Sequence, residues 1–186
     1  MTKNISSSLI LLISVFLFSC GESRDESIKK IKDLETRLLK DSMNAKDEVS
    51  AYNLEVAYLD FASKFPKDPE AAEYIFKAAN LDMNLNMGQK AIANLDKFLS
   101  VYPDHGHAPE ALFYKAYIYD NQLNDDAKAG EIYREFIKKY PTHAFAADAE
   151  ASIRNLGKSN EELIREFEQM NADSSASKQV NTKEKS

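Results

Sequence analysis

The residues whose types could do chemistry are one cysteine, three histidines and a large set of carboxylates, 30 Asp and Glu against 24 Lys and Arg in 186 residues. His105 and His107 flank Gly106, and a His-x-His pair supplies half of a tetrahedral zinc shell. His143 stands 38 residues after His105, however, and that step is the period of a repeat running through the body of the chain. The repeat therefore accounts for two of the three histidines, and ligands carried by successive repeats face different units. No metal or other cofactor is expected. The carboxylates lie on polar helical faces and read as a solvated surface. There is no Gly-rich phosphate loop, GxSxG elbow or HExxH pair, and no serine sits beside a histidine and an acid in a recognisable arrangement. The residues thus predict a non-enzyme with no small-molecule substrate. A formal charge of −6, with no basic strip interleaved with aromatics, argues against nucleic acid as a partner.

Cys20, the only cysteine, excludes an intramolecular disulfide and directs attention to the residues before it. Lys3 precedes a run from Leu9 to Phe18 broken only by Ser14, too short for the roughly 20 residues that span a bilayer as a helix. Leu17-Phe18-Ser19-Cys20 then gives way to the polar GESRDES. This resembles a bacterial lipoprotein signal, with Leu at −3, Ser at −1 and the cysteine at +1; Phe18 departs from the usual small or aliphatic −2 residue. The resemblance implies cleavage after residue 19 and acylation of Cys20, with residues 20–24 as lipidated cysteine and short tether. Several acyl chains, each worth about 0.8 kcal/mol per buried CH₂, would hold the protein on a membrane. Gly21 at +2 lacks the aspartate of inner-membrane retention, so the resemblance implies an outer-membrane lipoprotein of a Gram-negative bacterium, facing the periplasm. An uncleaved N-terminal anchor and an ordinary secretory signal are the alternatives.

The elements behind these residues are helical. Gly and Pro number 5 each, which suits a helical chain better than a loop-rich one. Phe61–Pro66, Phe98–Pro103 and Phe136–Pro141 end alike, their prolines 37 and 38 residues apart, and KAIANLDKFLSVYP (90–103) aligns with KAGEIYREFIKKYP (128–141). AAEYIFKAANL (71–81) aligns with APEALFYKAYI (108–118), and more weakly with AADAEASIRNL (146–156). Each unit reads as two helices. Leu112, Ala116 and Tyr119 share one face of the first; Ala129, Tyr133, Phe136 and Ile137 line the second, which Pro141 ends. Asp68-Pro69 and Asn124-Asp125-Asp126 are helix starts, Gly157 is a helix stop, and Ser159-x-x-Glu162 is a capping box.

Helix–turn–helix units with small Ala79 and Ala116 in the first helix, and Ala91 and Ala129 in the second, resemble tetratricopeptide repeats. The period is longer than the 34-residue consensus, and large Phe98 and Phe136 depart from it. In this the chain looks like the variants in the β-barrel-assembly lipoprotein, the Tol–Pal coordinator and small lipoproteins of the Bacteroidota. The resemblance covers residues 48–157. It implies an all-α protein, an α-solenoid of antiparallel helix hairpins coiled as a right-handed superhelix. The first helix of each unit would line a groove for an extended or helical peptide. Carried over by register, the partner-binding positions are Glu73, Phe76, Asn80 and Asn84; then Glu110, Phe113, Tyr117, Asp120 and Asn121; then Asp148 and Asn155. Phe76 and Phe113 are equally placed to pack against the neighbouring repeat.

Residues 25–66 are expected to form an N-terminal helical hairpin, 67–157 the repeats, 158–170 a capping helix and 171–186 a disordered tail. Ile28, Ile31, Leu34 and Leu38 make a helical stripe that serves either the hairpin or a coiled-coil trimer. The functional expectation is a membrane-anchored protein–protein interaction scaffold of the cell envelope. An accessory of outer-membrane β-barrel assembly and a Tol–Pal-type organiser, which would trimerise through 25–41, are the narrower alternatives.

Overall fold

A computed structural model describes residues 22–41, 48–159, 161–169 and 171; the signal-like segment, Cys20 and the residues from 172 expected to form a tail lie outside the described residues. Seven helices follow in order: α1 (Arg24–Asp41), α2 (Glu48–Lys64), α3 (Pro69–Asn84), α4 (Gly88–Val101), α5 (Ala108–Asn121), α6 (Asp126–Lys139) and α7 (Ala146–Asn155). A last helical stretch covers 161–169, and no strand occurs among the described residues.

The helix boundaries follow from local chemistry. Asp68 caps α3 by accepting the Glu70 N–H, ahead of Pro69 in the first turn, where a missing N–H costs nothing. Asp125 caps α6 through the Lys128 N–H. Asn124 before it has φ +52, and Asn86, 38 residues earlier in the turn between α3 and α4, has φ +58. Asparagine is among the few side chains that tolerate this left-handed region, so the tight turns of the α3–α4 and α5–α6 hairpins are written into the same repeat position. Gly157, at φ +75, follows the end of α7. Ser159 and Glu162 exchange the two bonds of a capping box, as do Ser23 and Glu26 at the start of α1.

Each helix packs extensively on the next in sequence. This is an α-solenoid of helix hairpins, in agreement with the repeat pattern. Its core is built from the repeat positions: Ala79, Ala91, Ala116 and Ala129 are at most 1% exposed, and Phe61, Phe98 and Phe136 are wholly buried. The alanines let paired helices close in, and the phenylalanines fill the space between one unit and the next. The stripe of α1 is spent within the chain: Ile31 is buried with Leu54, Tyr58 and Phe61, and Ile28, Leu34 and Leu38 pack around them. No helix among the described residues is long and apolar enough to cross a membrane.

Alternation of helix direction gives the solenoid two edges. The starts of α1, α3, α5 and α7 share one edge with the ends of α2, α4 and α6, tied by Arg24 to Asp68 and by the Tyr102 hydroxyl donating to the Pro66 carbonyl at 3.0 Å. The other edge carries the turns inside hairpins, tied by Gln122 Nε2 donating to the Met83 carbonyl at 2.8 Å.

Candidate functional site

The eleven groove positions divide according to which edge they approach. Near the inter-repeat loops, all of the side chains but Asp148 are occupied by the chain itself. Phe76 is 7% exposed, its ring stacked on His107 at 4.5 Å and against Phe98 at 5.5 Å. Phe113 is 9% exposed and meets Tyr133, Phe136 and Phe145. Glu73 Oε1 lies 3.6 Å from His105 Nε2 and 3.5 Å from His107 Nε2, and Glu110 Oε1 lies 3.8 Å from His143 Nε2. Asp148, in the first turn of α7, is exposed.

These contacts explain the histidines. His105 Nδ1 accepts the His107 N–H, and His143 Nδ1 accepts the Phe145 N–H, both at 3.2 Å. Asp68, one repeat earlier, takes the N–H two residues on in the same way. The three side chains are one device, an acceptor that folds the loop into the next helix, and each imidazole also sits edge-on to the phenylalanine before it, Phe98 or Phe136. An imidazole whose Nδ1 accepts carries its proton on Nε2 and has no second lone pair for a metal. Among the described residues no group of three His, Cys, Asp or Glu side chains is arranged to hold a metal ion.

Toward the other edge the remaining positions line open space. Asn80 and Asn84 border a cavity of about 360 Å³ walled by Leu38, Leu54, Tyr58 and Leu81. Asn84 also borders a second, of about 440 Å³, with Phe113, Tyr114, Tyr117 and Gln122. Tyr117 in turn borders a third, of about 810 Å³, with Asp120, Asn121, Asn124, Ser152 and Asn155. Asn84 borders the first two and Tyr117 the last two, so the three lie in a row along α3, α5 and α7, a furrow in three parts. It is apolar at the α1–α3 end, aromatic in the middle and polar at the α7 end. Tyr117 (41% exposed), Asn84, Asn121 and Asn155 present exposed side chains along it. Asp120 is half-buried; burial and the neighbouring Asp126 charge push its carboxyl up, against a 3.4 Å hydrogen bond from the Tyr133 hydroxyl. Asn86 and Asn124 were not among the positions carried over by register. Their recurrence with Asn84 and Asn121 at the repeat step was the available signal.

A charged network that periodicity did not expose lies behind the furrow. Asp82 is fully buried and Glu55 is 6% exposed, and both face Lys90. Asn94 Nδ2 donates to Asp82 Oδ2 at 2.8 Å, while Asp82 Oδ1 is buried without a hydrogen bond, 3.7 Å from Lys90 Nζ. Burial first, then the Glu55 charge, raise the Asp82 carboxyl to about 6, with Lys90 and Asn94 opposing. Two acids share one lysine where α2, α3 and α4 meet. Asp82 and Glu55 are buried while Lys90 reaches solvent, so the network closes the rim of the core.

Residues 110–143 match the family model described as tetratricopeptide repeat. The matched stretch is α5, α6 and the loop after them, one hairpin of the solenoid. No curated protein matches the chain. A repeat of this kind supports a protein–protein interaction scaffold, and no catalytic family is indicated.

Proposed function

We propose that this protein is a lipid-anchored scaffold of the bacterial cell envelope that holds a partner protein through an extended or helical segment laid in the furrow across α3, α5 and α7. The observation that carries the reading is the row of three cavities that share Asn84 and Tyr117, two side chains that are exposed. Carboxamides offer a donor and an acceptor together, which matches a peptide backbone, and Tyr117 supplies an aromatic anchor. The lipid on Cys20, an outer-membrane location and a periplasmic orientation rest on the signal-like residues 9–20. Confinement to the membrane plane would raise effective concentration, so modest furrow contacts suffice. An accessory role in β-barrel assembly is the narrower form of this reading. The Tol–Pal-type organiser is the other narrower form and would need α1 to trimerise; Ile31, in the middle of the α1 stripe, is buried against α2.

The test is crosslinking in the native membrane, pulldown and mass spectrometry, comparing the wild type with Tyr117→Ala/Asn121→Ala. Both side chains are exposed, so the variant keeps its fold, whereas Phe113→Ala would open the core. Capture of one envelope protein by the wild type, lost in the variant, supports the furrow; undiminished capture by the variant refutes it.

A further inference from the structure

The segment following Cys20 is pinned to the body almost at once. Lys64 Nζ, at the end of α2, donates to Glu22 Oε2 at 3.2 Å. The Arg24 guanidinium grips Asp68 with two bonds, Nε to Oδ2 at 2.5 Å and Nη2 to Oδ1 at 3.3 Å. Ser23, between them, is locked by the capping box it forms with Glu26. Asp68 also caps α3, so these pins fasten the N-terminus to the starts of α1 and α3 and the end of α2. All three belong to the edge of the inter-repeat loops. Cys20 precedes Glu22 by two residues, a reach of at most about 7 Å. The open positions of the furrow, Asn84, Tyr117 and Asn121, lie toward the other edge, and a 14-residue helix such as α5 separates the edges by about 21 Å.

We infer that this short, pinned tether sets the solenoid edge-on to the bilayer, the inter-repeat loops against the lipid surface and the furrow opening away from it, toward a partner segment that stands in the aqueous compartment. The inference rests on the acylated Cys20 proposed above. A long flexible tether would let every face of the solenoid visit the membrane; two residues ahead of a doubly pinned start leave one edge within reach. That edge carries exposed charges of both signs, Lys67, Lys138 and Lys139 beside Asp25, Glu26, Glu70, Asp104 and Asp148, so the tether and not the charge sets the orientation. Partners embedded in the same bilayer would meet the edge of the inter-repeat loops, and the furrow would be left for segments that project about 20 Å or more from the surface.

The test uses the full-length acylated protein in phosphatidylethanolamine/phosphatidylglycerol vesicles carrying a nitroxide on the lipid headgroup. One variant carries a fluorophore at Asp104→Cys, in an inter-repeat loop, and another at Gln89→Cys, at the far end of α4; both positions are exposed. Quenching at position 104 is expected to be at least about threefold stronger than at 89, because a helix length separates the labels. Equal quenching, or stronger quenching at 89, overturns the orientation. Inserting eight Gly-Ser residues between Gly21 and Glu22 should erase the contrast while the circular-dichroism spectrum stays helical; a contrast that survives the insertion shows that the tether does not set it. Flotation with vesicles separates the two readings. A chain that fails to float refutes the lipid anchor itself and this orientation with it, whereas one that floats without contrast refutes the orientation alone.

Discussion

At Asp82 the fold carries an internal cost. The carboxyl is fully buried, keeps one oxygen without a hydrogen bond and shares Lys90 with Glu55. Its value in the folded protein is raised from 3.8 to about 6, so the native state holds the proton more tightly than the unfolded chain. For a carboxyl raised in this direction, stability contributed by the group falls as pH climbs from about 4 to about 6 and then levels off. Asp82→Asn keeps the shape and can still accept from Asn94, but carries no charge to bury. Its stability relative to wild type should therefore be near zero at pH 4 and grow to about 1–3 kcal/mol in favour of the variant at pH 7.5, measured by urea denaturation at both pH values. A gap that does not change with pH would show that Asp82 is fully paired. Sequence alone could not expose this network. Asp82 stands between Leu81 and Met83 in the run Asn80–Asn84, and its partners come from other helices, Lys90 and Asn94 from α4 and the Glu55 charge from α2.

At the scale of elements, the loop between units is held by a side chain that mimics a backbone acceptor. His143 takes the Phe145 N–H and lies edge-on to Phe136 at 5.6 Å. His143→Ala removes the acceptor at the entry to α7 and should cost about 1–2 kcal/mol, the scale of a lost cap. His143→Asn restores an acceptor at the reach that Asp68 uses for the same bond and should recover at least half of that loss, read as the urea midpoint. Failure of Asn to rescue would assign the stability to the ring contact instead. Gly88 makes the complementary case at the other edge. A Cβ there would meet Gln122 Oε1 and Ile118 Cγ2 at 3.0 Å, and Leu123 Cδ2 at 3.1 Å. Alanine would gain helix propensity of about 1 kcal/mol, but a branched methyl in a filled site does not yield easily. The net expectation for Gly88→Ala is a loss of about 1 kcal/mol in thermal or urea unfolding. Much of this was legible: the 38-residue step linked His105 to His143, and Asp68-Pro69 and Asn124–Asp126 marked true helix starts. The Ser23–Glu26 capping box has the same signature as Ser159–Glu162 yet follows a strongly apolar segment that dominates its surroundings, and it went unread.

At the scale of the molecule, the repeat period carried the architecture because each unit repeats both its core and its punctuation; Phe61, Phe98 and Phe136 and the prolines after them fix hairpin after hairpin. The candidate site was legible only in part, because register places a residue on a helix but does not tell which edge its side chain approaches. Phe76 and Phe113 followed the rule for groove positions and were drawn into the core by His107 and Phe145, whereas Asn84, Tyr117 and Asn121 stayed open. The same one-dimensional construction predicts how the protein comes apart. In a solenoid each unit is supported by its neighbours alone, so the middle is held from both sides and the ends from one. The last helical stretch exposes Ile164 and Phe167 at 58% and 62%, and α7 buries only Ala149 fully. By contrast, α3 buries eight residues and packs between α2 and α4. Hydrogen exchange should therefore grade along the chain: amides of α3 through α5 slowest, those of α7 intermediate, and those of 161–169 opening at a free energy lower by at least about 2 kcal/mol. Tyr117→Ala/Asn121→Ala should leave that gradient unchanged, since both side chains are exposed and the Asn121 amide bonds back to the Tyr117 carbonyl of its own helix. Uniform protection from end to end would mean that the units fold as one block, and the furrow would then open only with the whole protein.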